Sequence, residues 1–143
     1  WTWGVRGWWY RYADGTYPSN TAKTIDGQVY RFDADGYMRT GWVFERGSWY
    51  YHALSGVQAT GWILDGVSWY YLTPGTGQMA TGWVKDGSHW YYLNPDNGKM
   101  KTGWHYEDGS WYYLKPGSGQ MATGRLWIVW KYYRFADNGK LIR

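Results

Sequence analysis

One short pattern constrains this chain more than anything else in it. Thr-Gly recurs at Thr40-Gly41, Thr60-Gly61, Thr81-Gly82, Thr102-Gly103 and Thr123-Gly124, and the first four are followed by Trp42, Trp62, Trp83 and Trp104. Seven residues after each comes a second tryptophan, at Trp49, Trp69, Trp90 and Trp111, always followed by Tyr-Tyr. Three units then read Leu-x-Pro-x-x-Gly-x-Met, with Pro74, Pro95 and Pro116 and with Met79, Met100 and Met121. A repeat of this length cannot bury an apolar face alone, so units must stack on one another, and atypical end units are expected as caps. The spacing divides residues 1–143 into degenerate hairpins over 1–39, four regular repeats over 40–124 and a degenerate capping hairpin over 125–143. In the end segments Trp9-Tyr10-Arg11-Tyr12, Val29-Tyr30-Arg31-Phe32 and Tyr132-Tyr133-Arg134-Phe135 take the Trp-Tyr-Tyr-Leu place.

Each unit reads as a β-hairpin. Asp65-Gly66 lies midway between two aromatic-rich runs, and Asp-Gly suits a two-residue type I′ turn, whose central residues both need positive φ. Counting outward pairs Leu64 with Val67, Ile63 with Ser68 and Trp62 with Trp69, and Trp83 faces Trp90 in the same way around Asp86-Gly87. At Arg46-Gly47 and Asp108-Gly109 the glycine falls one place later, so a longer loop is expected there. Apolar residues alternate with period two and glycine interrupts every few positions, so the fold class is all-β with no helix.

Composition decides what fills such a stack. Phe, Val, Ile and Leu together make up only 21 residues, while 14 Trp and 16 Tyr bring the aromatic share to 23%. That excludes both a disordered chain and an ordinary aliphatic core. Alternation places Trp62, Trp69 and Tyr71 on one face and Ile63, Tyr70 and Leu72 on the other. The second set, with Tyr91, Leu93, Tyr112 and Leu114 in later units, is assigned to joining hairpins. The first set is three rings converging on one side, closed by the next tryptophan of the ladder. A pocket walled by electron-rich faces suits a cation that demands no hydrogen bonds, above all a quaternary ammonium. At roughly 0.5–2 kcal/mol per ring such a pocket binds near the millimolar range, so a row of them gains by avidity on a polymer that repeats the cation.

Other chemistries find less support. The chain has no Cys, and His52, His89 and His105 have no metal-ligand spacing. Its carboxylates fall mostly in turns, with Glu45 and Glu107 the only glutamates, and no pair is set across a cleft for hydrolysis. Asp33-Ala34-Asp35-Gly36 starts like a calcium loop but lacks the later ligands. No catalytic residue, metal or cofactor is therefore assigned. A net charge of +4 reads as a mildly basic surface, compatible with a polyanionic partner. No apolar run is long enough to cross a membrane, and a chain opening on Trp1 reads as an excised module or mature fragment.

The unit from Gly82 to Thr102, with its Gly-Trp and Trp-Tyr-Tyr-Leu motifs, resembles the choline-binding repeat of pneumococcal and phage cell-wall proteins. The stretch from Trp8 to Met38 is similar to the first hairpins of such modules, so the likeness covers nearly the whole chain. The resemblance implies a left-handed solenoid of stacked hairpins. It implies a non-catalytic module, secreted and bound to the cell wall, that holds the choline or phosphocholine of teichoic and lipoteichoic acid and anchors an attached domain, such as the catalytic domain of a cell-wall hydrolase. It also implies that homodimers can form. Carried over, it places choline in three cages: Trp42, Trp49 and Tyr51 with Trp62; Trp62, Trp69 and Tyr71 with Trp83; and Trp83, Trp90 and Tyr92 with Trp104. Met79 and Met100 are placed at their edges, and a fourth cage of Trp104, Trp111 and Tyr113 needs Trp127 to complete it. Val29 and Arg31 replace the expected aromatics, and a cation beside Arg31 is repelled. A glucan- or other carbohydrate-binding repeat would also use such rings. Single-stranded nucleic acid is the other alternative, although Lys and Arg do not repeat in register with the rings.

Overall fold

The computed structural model describes residues 1–142, with fourteen short strands and no helix among them. They form seven two-stranded hairpins. These are β1 (Thr2–Gly4) with β2 (Gly7–Trp9), β3 (Thr21–Ile25) with β4 (Gln28–Phe32), and β5 (Gly41–Glu45) with β6 (Ser48–His52). Next come β7 (Gly61–Asp65) with β8 (Ser68–Leu72), then β9 (Gly82–Asp86) with β10 (His89–Leu93). The last are β11 (Gly103–Glu107) with β12 (Ser110–Leu114), and β13 (Gly124–Ile128) with β14 (Lys131–Phe135). The chain divides into two compact units, one of Trp1–Ile63 with Leu72–Met79, the other of Leu64–Tyr71 with the chain from Ala80 on.

The hairpins β1–β2, β3–β4, β5–β6, β9–β10, β11–β12 and β13–β14 each close on a two-residue loop, but in β9–β10 that loop is not Asp86-Gly87. In β9–β10 His89 pairs with Asp86 and Trp83 with Tyr92, so the loop is Gly87-Ser88. Gly87 has φ 62° and Ser88 has no positive φ, the pattern of a type II′ turn with glycine first. Arg46-Gly47 and Asp108-Gly109 are no longer than this: Glu45 pairs with Ser48 and Glu107 with Ser110. Both residues of these two loops have positive φ, 50° and 81° in one and 49° and 82° in the other, which is type I′. Moving the glycine by one place changes the turn type and leaves the loop length alone. Trp83 thus faces Tyr92 rather than Trp90, two places along the same strand, so the two tryptophans still share a face.

In each unit the core is thin. In the first, Phe32, Val43, Tyr50, Ile25 and Leu72 are buried, together with the polar Arg31 and His52. In the second, Tyr92, Leu114 and Met121 form one buried cluster with Trp83 and Tyr112 packed on it, and Ala122, Ile128 and Phe135 form another beside Trp104, Tyr113 and Tyr133. The residue that ends the second strand of a hairpin pairs with the glycine that opens the first, as Leu93 with Gly82 and Leu114 with Gly103. That glycine takes φ near 75–86°, a left-handed turn that brings the chain out of the preceding loop. Met121 lies over Gly139 so closely that a Cβ there would collide with its sulfur.

Candidate functional site

Two cavities of the second unit repeat one design. Trp83 and Trp90 of β9–β10, Tyr112 of β12 and Met121 beyond it line a cavity of about 300 Å³. Trp104 and Trp111 of β11–β12, Tyr133 of β14 and Leu141 beyond it line another of about 450 Å³, with Lys131 at its edge. Each therefore takes both tryptophans of one hairpin, the tyrosine that follows the second-tryptophan place of the next, and an apolar residue after that. The last is held in place by the backbone: Met121 N–H donates to the Trp90 carbonyl and Leu141 N–H to that of Trp111, each at 2.8 Å. The Trp83 ring stands edge-on between Tyr92 and Tyr112, its centroid 5.0 Å from both, and Trp104 stands likewise between Tyr113 and Tyr133. Trp90 and Trp111 remain 39% and 45% exposed, so their faces are open to a ligand.

The same design opens the first unit. Trp1, Trp8, Tyr30 and Met38 line a cavity of about 290 Å³, and Met38 N–H donates to the Trp8 carbonyl at 2.7 Å. This bond matches the one from Met79 to Trp49 at 2.8 Å. Trp8, not Trp9, therefore occupies the second-tryptophan place of the first hairpin, one residue earlier than the sequence spacing suggests. Trp42 lies 6.4 Å from Trp49 and 5.0 Å from Tyr51 by ring centroids. In the hairpin between, Ala22 and Val29 stand at the tryptophan places, and the Arg31 guanidinium lies 3.7 Å over the Tyr50 ring.

One carboxylate braces the Trp83 ring from behind. Glu107 Oε2 accepts the indole N–H of Trp83 at 2.9 Å. Lys101 Nζ, which can only donate, faces His105 Nδ1 at 2.9 Å and leaves the Nε2 proton for Glu107 at 3.4 Å. The His105 ring packs 3.9 Å from Tyr92. The bond from Trp83 is the main reason the Glu107 carboxyl is held below its ordinary range, with His105 and Tyr92 adding to it. Burial, together with the Glu107 charge, pushes the Tyr92 phenol up. Among the described residues no group of His, Asp or Glu could hold a metal ion.

The family model of the choline-binding repeat matches residues 20–56, 46–81 and 80–126. The chain belongs to the choline-binding repeat family. Its repeats are similar to those of choline-binding protein F of Streptococcus pneumoniae, solved in the presence of a peptidoglycan analogue, at 39% identity and TM-score 0.82 over 89% of this chain and 42% of that one. They resemble the modular autolysin LytC of the same species at 30% identity and TM-score 0.78 over 100% of this chain and 32% of that one. The pneumococcal cell-wall endolysin of phage Cp-1, complexed with choline, aligns at 37% identity and TM-score 0.62, over 85% of this chain and 36% of that one. The chain thus spans less than half the length of these relatives. No curated protein sequence matches it.

Against this choline-binding-repeat geometry the expected site residues divide. Trp83 with Trp90 and Trp104 with Trp111 each line one cavity together. Tyr71 and Tyr92 are buried, and Tyr113 packs beside the Ile128 cluster, so the second tyrosines support the walls. The wall opposite is the tyrosine after the second-tryptophan place of the next hairpin, Tyr112 or Tyr133, where the next tryptophan and Trp127 were expected. Trp127 packs on Tyr132 instead, at 4.7 Å. Trp62 and Trp69 lie on β7 and β8, half-buried and exposed respectively. Met79 and Met100 donate their N–H to the carbonyls of Trp49 and Trp69, in the manner of Met121. Sequence reasoning missed Tyr112, Tyr133, Leu141 and the set around Trp1. The available signal was that stacked hairpins meet face to back, so one cavity must draw on opposite faces of successive units.

Proposed function

We propose that this chain is a non-catalytic cell-wall module that binds choline or phosphocholine of teichoic acids in aromatic cages and so anchors an attached domain at the bacterial surface. The observation that carries the reading is the repeated wall of Trp83, Trp90, Tyr112 and Met121, and of Trp104, Trp111, Tyr133 and Leu141. A trimethylammonium group donates no hydrogen bond and is attracted to ring faces, so a chamber of three rings and one thioether or alkyl group suits it. Trp42 with Trp49 belongs to a further site of the same kind. Family membership supports the reading, as does choline bound by the related phage endolysin.

Three rings at roughly 0.5–2 kcal/mol each, less the cost of immobilising the ligand, give a Kd near the millimolar range per site. Retention on a wall polymer then comes from several sites acting together. The test is tryptophan fluorescence and thermal melting against choline, with retention on a choline resin as a second readout. Millimolar choline should raise Tm by linkage and shift the emission. High salt should leave resin binding intact, whereas a nucleic-acid binder would release its ligand. No change in either signal, with no retention, overturns the reading.

A further inference from the structure

The hairpin β3–β4 and the one after it carry the same site design with its walls exchanged. Ala22 pairs with Arg31 across β3 and β4, as Trp83 pairs with Tyr92. Val29 stands at the second-tryptophan place, because its carbonyl accepts the Gln58 N–H at 2.9 Å as that of Trp90 accepts Met121. Tyr50 holds the place of Tyr112, and Gln58 that of Met121. Two indoles and a thioether have thus become Ala, Val and a carboxamide.

A cavity of about 400 Å³ remains at this place, lined by Ala22, Arg31, Glu45 and Tyr50, and it already holds a cation of the chain itself. Arg31 is only 6% exposed, and its guanidinium lies 3.7 Å from the Tyr50 ring centroid. Nε donates to Glu45 Oε2 at 3.0 Å and Nη1 to Gln58 Oε1. His52 supplies another acceptor. Its Nδ1 is 2.7 Å from the Gly56 carbonyl, which can only accept, so Nδ1 carries the proton and Nε2 receives Arg31 Nη1 at 3.2 Å. A ring under a cation is what the open cages offer. Three acceptors around its edge are what they lack.

We propose that Arg31 is a built-in ligand that makes this place a guanidinium site and closes it to quaternary ammonium. A guanidinium presents a planar fork of donors that satisfies Glu45, Gln58 and His52 while its face covers Tyr50. A trimethylammonium head satisfies none of those acceptors and would leave them desolvated and unpaired, a loss of roughly tenfold or more in affinity. Selectivity at this position therefore lies in Glu45, His52 and Gln58, and Arg31 is its occupant.

Removing the occupant tests this. R31A should lower Tm by roughly 5–15 °C, since the half-buried Glu45 carboxylate and the buried His52 ring lose their partner. Millimolar methylguanidinium should then recover part of the loss saturably, at concentrations well below those at which it denatures, while choline or tetramethylammonium should do so at least about tenfold less well. The number of choline molecules bound, by equilibrium dialysis, should be equal in R31A and wild type. If R31A does not fold unaided, its folded yield with methylguanidinium against choline reads the same preference. R31K, which keeps the charge and loses the fork, should be intermediate in Tm. One extra choline bound by R31A, or a rescue no better with methylguanidinium than with choline, overturns the proposal. Choline retention by the wild-type chain tests the anchoring function separately, so either idea can fail alone.

Discussion

The Arg31 site of the first unit and the Trp83 site of the second are built on one register and solve opposite problems. Around Trp83 the cation must come from outside, so the chain supplies rings and an apolar edge at Trp90, Tyr112 and Met121. Around Arg31 the cation is covalently present, so the chain supplies acceptors and keeps a single ring, Tyr50. The two glutamates make the comparison sharpest. Glu45 and Glu107 end the first strands β5 and β11, and each reaches back to the preceding hairpin. Glu45 takes the Nε of Arg31, Glu107 the indole N–H of Trp83. One carboxylate neutralises the occupant and the other braces the wall, so the backbone position sets reach while the neighbour sets the role.

The largest break in this comparison is W83A. The ring packs on Tyr92 and Tyr112 at 5.0 Å and lines the cavity with Trp90, so its loss should cost roughly 3 kcal/mol of stability and abolish choline binding there. The cavity of Trp104, Trp111 and Tyr133 does not include Trp83 and should keep its ligand. Indole N–H signals followed by NMR through a choline titration separate the two. If Trp69 also stops responding, the ring is shared with the cage before it, as the sequence alone suggests, and the wall-by-wall assignment fails.

Acid separates the two sites next. Burial, with Arg31 and Arg39 nearby, lowers the His52 pKa below its usual 6.5, while Gly56 and Glu45 oppose the shift. Between 6.5 and that lower value the unfolded chain binds a proton that the folded chain does not, so stability is complete above this window and falls as pH drops through it. His52→Gln keeps an acceptor for Arg31 without titrating. Urea melts from neutral to mildly acidic pH should show wild type losing stability faster than H52Q. Parallel curves would mean that Arg31 does not depend on a neutral His52.

How much of this could be read from the sequence follows from which interactions are local. The repeat and the all-β hairpins were legible, because Trp-to-Trp spacing and glycine placement are properties of one unit. The register was not. Asp86-Gly87 and Gly87-Ser88 each close a two-residue loop, and the choice between them is made by Trp83 packing on Tyr92. The composition of the walls was hidden for the same reason, since Tyr112 and Met121 come from the next unit's other face. Arg31 was legible as a departure, but its role needed Glu45, His52 and Gln58 brought together from 14, 21 and 27 residues away.

E107Q asks whether the brace matters to the ligand. The carboxylate, held ionised by the Trp83 N–H, adds electron density to an indole whose face meets the cation. Its stabilising effect should be present at neutral pH and lost as pH falls through its lowered pKa. Glutamine keeps an acceptor and removes the charge, so choline affinity at the Trp83 cavity should fall by about twofold to fivefold, with the Trp104 cavity unchanged. Equal affinities in E107Q and wild type would leave Glu107 a purely structural contact.

The smallest effect expected is also the most specific to one end of the chain. Lys131 Nζ lies 5.2 Å from the Tyr133 ring centroid, at the edge of the cavity formed with Trp104 and Trp111. The cavity around Trp83 is lined by Asn138 and by no basic residue. An exposed ammonium beside a bound cation costs only a few tenths of a kcal/mol, so K131A should tighten choline binding at this cavity by about twofold. The gain must be electrostatic, hence largest at low ionic strength and nearly absent near 1 M salt, where the Debye length is about 3 Å. A salt-independent gain would point to simple unblocking of the cavity. Weaker binding in K131A would show that the lysine's alkyl stem serves as a wall, which would bring Lys131 closer to Met121 and Leu141 in its role than to Arg31.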